Sequence, residues 1–174
     1  VMAPMGTFFT PTHPENKKQY IFFAAGSGIT PIISIMKTVL AEEPQSSVIL
    51  FYGNRSETTV IFKRQLDEVC SAYENRCQIY HIFSQEESGG IGNRFKKLFG
   101  ATSSAGDELK GRMTQKKVSL LLGKYVKDFK ETEFFVCGPS PMMNDVKQAL
   151  VDKKIPTENI HMEYFTVTVE GNNK

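Results

Sequence analysis

At 174 residues and 19.6 kDa, the chain has room for one domain, or for two only if both are small. Hydrophobic residues make up 40%, and 21 basic against 19 acidic residues leave a net charge of +2. That balance excludes a nucleic-acid binder driven by phosphate neutralisation and an acidic disordered tail.

Residues 1–18, with Pro4, Gly6, Pro11 and Pro14, read as the tail of a preceding unit. Tyr20–Ala25 is a short apolar strand ending at Gly26, and Thr30–Glu42 a helix with Ile32, Ile33, Met36, Val39 and Leu40 on one face. Ser47–Tyr52 is a second strand, and Phe62, Leu66, Val69, Cys70 and Tyr73 follow a 3.6-residue period. Cys77–Phe83 is a third strand. Gln85–Lys110, rich in Gly and Ser, reads as a flexible surface insertion with a short amphipathic piece at Asn93–Phe99, the alternative being a docking or lid element. Val118, Leu121, Leu122 and Tyr125 mark a helix, Glu133–Cys137 a fourth strand, Met142, Val146 and Leu150 a last helix, and Ile160–Phe165 a fifth strand. The first, second and fourth strands are continuously apolar, as strands covered on both faces are. Strand and helix alternate, so the expected fold is α/β, a doubly wound sheet of about five parallel strands with right-handed crossovers.

Cys70, Cys77 and Cys137 form no C-x-x-C pair, which points to a reducing, cytoplasmic setting rather than a disulfide framework or zinc site. No signal-peptide pattern is visible at the N-terminus. The uncharged run Gln19–Met36 is interrupted by Gly26, Gly28 and Pro31, so it reads as a strand feeding a helix rather than a membrane span. His13, His81 and His161 share no metal-ligand spacing and read as structural histidines.

Chemistry concentrates in two turns. Gly26-Ser-Gly-Ile-Thr-Pro31 follows a strand and opens a helix, with Thr30 as expected N-cap and Pro31 at the first helical position. Such a helix start presents free N–H groups to a phosphate. A third glycine is missing at Pro31, and no acid ends the second strand, where Tyr52-Gly-Asn-Arg55 stands; both disfavour an ordinary dinucleotide dehydrogenase. Cys137-Gly-Pro-Ser-Pro-Met-Met143 forms the second turn. If the first strand is central, the two turns flank one crevice at the switch point of the sheet. The plainer readings are Cys137 as a small buried hydrophobe and Met142 and Met143 as core filling.

The ordered set Ala24–Pro31, Tyr52–Arg55, Gly111-Arg112, Cys137-Gly-Pro139 and Glu163-Tyr-Phe165 resembles the pyridine-nucleotide-binding half of the ferredoxin–NADP⁺ reductase family. The Tyr52-Gly-Asn-Arg55 version is most similar to the reductases of phenylacetate degradation, which run flavin barrel, nucleotide domain, plant-type [2Fe–2S] domain. The resemblance implies that residues 1–18 end a flavin barrel and its connector, that 19–166 bind NAD(P)H, and that 167–174 start a linker to a [2Fe–2S] domain. It implies that Gly26, Ser27, Gly28 and Thr30 hold the pyrophosphate, with Thr30 and Pro31 shaping the nicotinamide approach. Asn54 and Arg55, with Arg64 on the next helix, would meet the adenosine ribose or its 2′-phosphate. Cys137, Gly138 and Pro139 would flank the nicotinamide, Ser140 and Met142 completing that turn. Glu163 and Phe165 match the ending that lies against the flavin ring, and Cys137 and Glu163 are the candidate catalytic residues. The implied partners are the flavin and ferredoxin domains of the same chain and an oxygenase component, with FAD and [2Fe–2S] held outside this segment. On this reading the segment alone binds no flavin and turns nothing over. Arg55, with no acid before Glu57, leans the nucleotide toward NADPH rather than NADH. Two other readings remain open: a nucleotide-binding regulatory module without redox turnover, and the reductase half of a flavohaemoglobin.

Overall fold

The computed structural model describes residues 8–85 and 109–164. The stretch 86–108 with its amphipathic piece, Phe165, and the termini 1–7 and 166–174 lie outside the described residues. Five strands, β1 (Gln19–Ala25), β2 (Ser47–Asn54), β3 (Cys77–Phe83), β4 (Thr132–Cys137) and β5 (Ile160–Glu163), form one sheet in the order β3-β2-β1-β4-β5. Every neighbouring pair is parallel. Helices α1 (Ile29–Glu42) and α2 (Lys63–Ala72) cover one face, and α3 (Gln115–Tyr125) and α4 (Ser140–Asp152) the other.

The uninterrupted apolar runs account for the middle of the sheet. Tyr20–Ala24, Val48–Tyr52 and Phe134–Cys137 are buried throughout, because alternate residues enter opposite cores. Tyr20, Phe22, Leu50 and Phe135 pack with Ile32, Met36 and Leu66; Ile21, Phe23, Phe51 and Phe134 pack with Val118, Leu121, Val146 and Leu150. Phe22 stacks on Phe135 and Phe23 on Phe51, each pair at 5.3 Å between ring centres. Each such side chain stabilises the fold by about 1.5–3 kcal/mol at most.

Three local details differ from the sequence expectation. Helix α1 begins at Ile29 with Gly28 as its N-cap, so Thr30 is not the cap; its hydroxyl donates instead to the Ser27 carbonyl at 2.9 Å. Strand β2 runs on to Asn54 because β3 keeps pairing with it, Gly53 to Ile82 and Asn54 to Phe83. Helix α2 starts at Lys63 after Phe62, which takes a left-handed conformation (φ 58°) while its ring packs against the α1–α2 core.

At the opposite end of the sheet, the incoming segment is fastened to a fully buried carboxylate. Glu43 accepts from the His13 amide, Asn16 Nδ2, the Tyr20 hydroxyl and Ser46 Oγ. Lys18 and His161 both reach Glu133, at 2.7 and 2.9 Å.

Candidate functional site

With β1 in the centre, the strand order reverses between β1 and β4, and the turns leaving these strands meet there. The contact is close: a Cβ on Gly28 would lie 2.2 Å from the Cys137 carbonyl oxygen and 2.9 Å from the Gly138 nitrogen. Only glycine allows this approach. Gly138 in turn lies over Ala25, with Met142 Cε beneath it. Gly26 turns the chain at φ 53°, and a Cβ there would meet nothing within 4 Å, so open space lies beside it. Ser27 and Thr30 are exposed next to it.

Helix α1 thus aims its first amides at the crevice, and Pro139 caps α4 (Ser140–Asp152) from the other wall. Ser140 is exposed, whereas Met142 is buried in the α3–α4 core. Pro31 lines a groove of about 270 Å³ with Phe8, Phe9, Thr10, Ser34, Ile35 and Thr38, where the incoming segment crosses α1. Cys137 is fully buried and pairs in register with Glu163. Burial first, and the Glu163 charge second, push its thiol up to about 11, so at neutral pH it is protonated and a poor nucleophile.

On the β2 side, Asn54 is 9% exposed, and its Nδ2 has no hydrogen-bond partner among the described residues. Arg55 is exposed beside it. Arg64, 88% exposed, pairs with Glu68 one helical turn on at 3.3 Å. Tyr52, a residue that the sequence pattern left without a role of its own, organises this rim, with His81 beside it. The Tyr52 hydroxyl donates to the Gly26 carbonyl at 3.0 Å and accepts from the Ile61 amide at 3.3 Å, tying the turn after β1 to the loop after β2. Burial raises its phenol pKa, so it stays protonated. His81, half-buried beside Tyr52 and stacked on Phe83, has a buried Nδ1 without a partner among the described residues, unlike a satisfied structural histidine. Burial lowers its pKa and keeps the ring neutral. His161 is hydrogen-bonded to Glu133, and His13 accepts from the Glu15 amide.

A glycine-cradled crevice at the switch point of a parallel sheet, facing a helix N-terminus, defines a nucleotide-binding α/β domain. Residues 22–148 match the oxidoreductase NAD-binding domain family, and the chain belongs to it, as an NAD-binding domain of the ferredoxin reductase type. It is 34% identical over 165 residues to a component of the 1,2-phenylacetyl-CoA epoxidase of Escherichia coli K12, covering 95% of this chain and 42% of that one. It is 33% identical to the ferredoxin reductase component of 3-ketosteroid-9-alpha-monooxygenase from Mycolicibacterium smegmatis, covering 95% and 38%. The chain therefore spans well under half the length of these relatives. Among solved structures, it shares the fold of the FAD/NAD-binding domain of a Vibrio cholerae nitric oxide dioxygenase (TM-score 0.67, 24% identity, 94% and 56% covered). An Amycolatopsis cytochrome P450 reductase is similar too (TM-score 0.69, 20% identity, 94% and 43% covered). Among the described residues no helix is long and apolar enough to cross a membrane.

Proposed function

We propose that this chain is the NAD(P)H-binding domain of a reductase that passes electrons from NAD(P)H through FAD to a [2Fe–2S] centre and an oxygenase, in aromatic catabolism of the phenylacetate type. The observation that carries the reading is the crevice in which Gly28 packs on the Cys137–Gly138 peptide. Open space beside Gly26 and the Nδ2 of buried Asn54, without a hydrogen-bond partner among the described residues, fit a nucleotide lying across the strand ends. Similarity to a subunit of an epoxidase and to the ferredoxin reductase component of a monooxygenase supports the electron route.

In this reading residues 1–18 finish a flavin-binding barrel, 19–166 bind the nucleotide, and 167–174 lead toward a ferredoxin domain. The nicotinamide and flavin supply the redox chemistry when bound; the residues here bind and orient. Gly26, Ser27, Gly28 and Thr30 hold the pyrophosphate through the amides of the α1 start and the Ser27 hydroxyl, the Thr30 hydroxyl fixing the Ser27 carbonyl, and Pro31 braces that turn. Asn54 and Arg55 take the adenosine ribose, with Arg64 contributing charge from α2. Cys137, Gly138, Pro139 and Ser140 form the nicotinamide wall, Met142 supports it from below, and Glu163 and Phe165 close it on the flavin side. A protonated Cys137 keeps that wall uncharged.

Titration of the chain with NADP⁺ and NAD⁺ by calorimetry tests this. NADP⁺ should bind more tightly, and Arg55→Ala should lower its affinity by roughly tenfold to a hundredfold while sparing NAD⁺. Absence of heat with either nucleotide overturns the reading, and equal weakening of both removes the NADPH preference.

A further inference from the structure

Two thiols meet at the end of the sheet remote from the crevice. Cys70 lies in the last turn of α2, and Cys77 opens β3. Tyr73 joins their backbones: its amide donates to the Cys70 carbonyl at 3.2 Å, and its carbonyl accepts from the Cys77 amide at 2.9 Å. The turn between them is held from outside as well. The Arg76 guanidinium donates to the Leu40, Glu43 and Ser46 carbonyls at 2.8, 2.8 and 3.1 Å and lies over the Tyr73 ring. The Arg76 carbonyl accepts from the Val48 amide at 2.7 Å, so the turn is anchored to both α1 and β2.

Both cysteine side chains enter the core that α1 and α2 close. Cys77 is 5% exposed, and Cys70 is half-buried against the same cluster. There the Cys70 thiol is turned to the Cys77 sulfur and donates to it. That hydrogen bond first, and burial second, raise the Cys70 thiol above its ordinary 9.0, so at neutral pH it keeps its proton. Cys137 stands at the other end of the sheet, on the last residue of β4. Two sulfurs in contact across a pinned turn need only side-chain rotation to reach bonding distance.

We propose that Cys70 and Cys77 form a redox modification site, closed to an intramolecular disulfide by a low-molecular-weight disulfide of the glutathione type. Half-exposed Cys70 gives its proton to solvent and attacks one sulfur of the reagent, whose S–S bond breaks and releases one thiolate. The Cys77 sulfur then attacks Cys70 in the mixed disulfide, loses its own proton and expels the second thiolate. Two protein thiols are oxidised, one reagent disulfide is reduced, and the two protons end on the two leaving thiolates. The new bond closes the loop 70–77 and ties the end of α2 to the start of β3, away from the crevice. Restricting the unfolded chain in this way stabilises the folded one.

The test treats the native 174-residue chain with oxidised glutathione at mildly alkaline pH, then with N-ethylmaleimide, and maps the peptides by mass. Cys70 and Cys77 should appear in one linked peptide without retained glutathione, while Cys137 labels only after unfolding. The oxidised chain should melt about 5 °C above the reduced one, and dithiothreitol should reverse the shift. Cys70→Ser should show neither the link nor the shift, and Cys77→Ser should stop at a glutathione adduct on Cys70. If Cys77→Ser does not fold, the wild-type map and Cys70→Ser decide. Free Cys70 and Cys77 after treatment, a glutathione adduct that persists on wild-type Cys70, or a disulfide between two chains overturns the site. So does an oxidised chain that melts no higher than the reduced one, or the same shift in Cys70→Ser.

Discussion

Gly28 has no room for any side chain, because its α-carbon rests on the Cys137–Gly138 peptide, a backbone neighbour that cannot rotate away. Gly28→Ala should cost about 3 kcal/mol, the upper end for overpacking. Gly138→Ala meets chiefly the mobile Met142 Cε at 2.9 Å and should cost less than half as much. Urea denaturation of the two variants checks the ranking; a Gly28→Ala protein as stable as wild type would contradict the close approach. A bulky residue at position 28 is thus a probe of how the two turns pack rather than of the phosphate alone. Tyr52 acts in the same region by hydrogen bonding, holding the Gly26 carbonyl and the Ile61 amide. Tyr52→Phe keeps the ring and removes both bonds, for an expected loss of about 1–2 kcal/mol by the same measurement. Cys137, its thiol pushed up to about 11 by burial and by Glu163, should resist iodoacetamide in the native protein at neutral pH. It should become alkylated only on unfolding, as peptide mass mapping would report; rapid native labelling would contradict its burial.

Elements were legible in the sequence in proportion to how far local pattern alone decides them. The runs Tyr20–Ala25, Ser47–Tyr52 and Glu133–Cys137 announce buried parallel strands because burial on both faces leaves no polar alternation. The meeting of the two turns was legible as a consequence of β1 being central. The start of α1 was not, since Gly28 rather than Thr30 caps it under the demand of packing on Cys137. Nor were the contacts of Tyr52, His81 and Met113, which follow from how β2, β3 and the segment leading into α3 align. The role of Glu43 has no mark in the sequence, because its donors come from residues 13, 16, 20 and 46. Such long-range convergence leaves no periodic trace. Glu43→Ala leaves the buried Tyr20 and Ser46 hydroxyls without this acceptor and should cost about 3 kcal/mol in urea denaturation. Glu133 carries the pH dependence of the same end of the sheet. The hydrogen bond from His161, followed by that from Lys18, holds its carboxyl below the ordinary 4.5 despite burial. A carboxylate with a depressed folded-state pKa contributes stability above its unfolded pKa and loses it as pH falls through the folded value. Acidification below about 4.5 should therefore lower the melting temperature, and Glu133→Gln should flatten that decline. An identical decline in both proteins would show that the pair contributes nothing.

At the scale of the whole molecule, the central strands are buried on both faces and each helical layer closes its own core. A sheet covered in this way supplies enough apolar burial for the chain to fold by itself and to meet its nucleotide with the crevice already formed. Binding to the folded state alone then raises stability by mass action, about 2.7 kcal/mol at a ligand concentration a hundred times Kd. For a chain of this size that is a rise of roughly 5–10 °C in melting temperature with saturating NADP⁺. Turnover is a different matter. The two relatives described above are more than twice as long, the shared part being 42% and 38% of them. In the proposed reading the flavin is held by a barrel that precedes the nucleotide domain, and the residues described here offer a nicotinamide wall and no second redox group. A hydride needs an acceptor held against that wall. The purified 174-residue chain should accordingly be colourless, show the NADP⁺-dependent melting shift, and leave NADPH unoxidised in the presence of ferricyanide. The same residues joined to a flavin-binding barrel of this family should be yellow and should oxidise NADPH, with Gly28→Ala abolishing both the shift and the rate. Stoichiometric flavin on the isolated chain, or ferricyanide reduction by it, would overturn this division of labour, since both cofactors would then be held within these 174 residues.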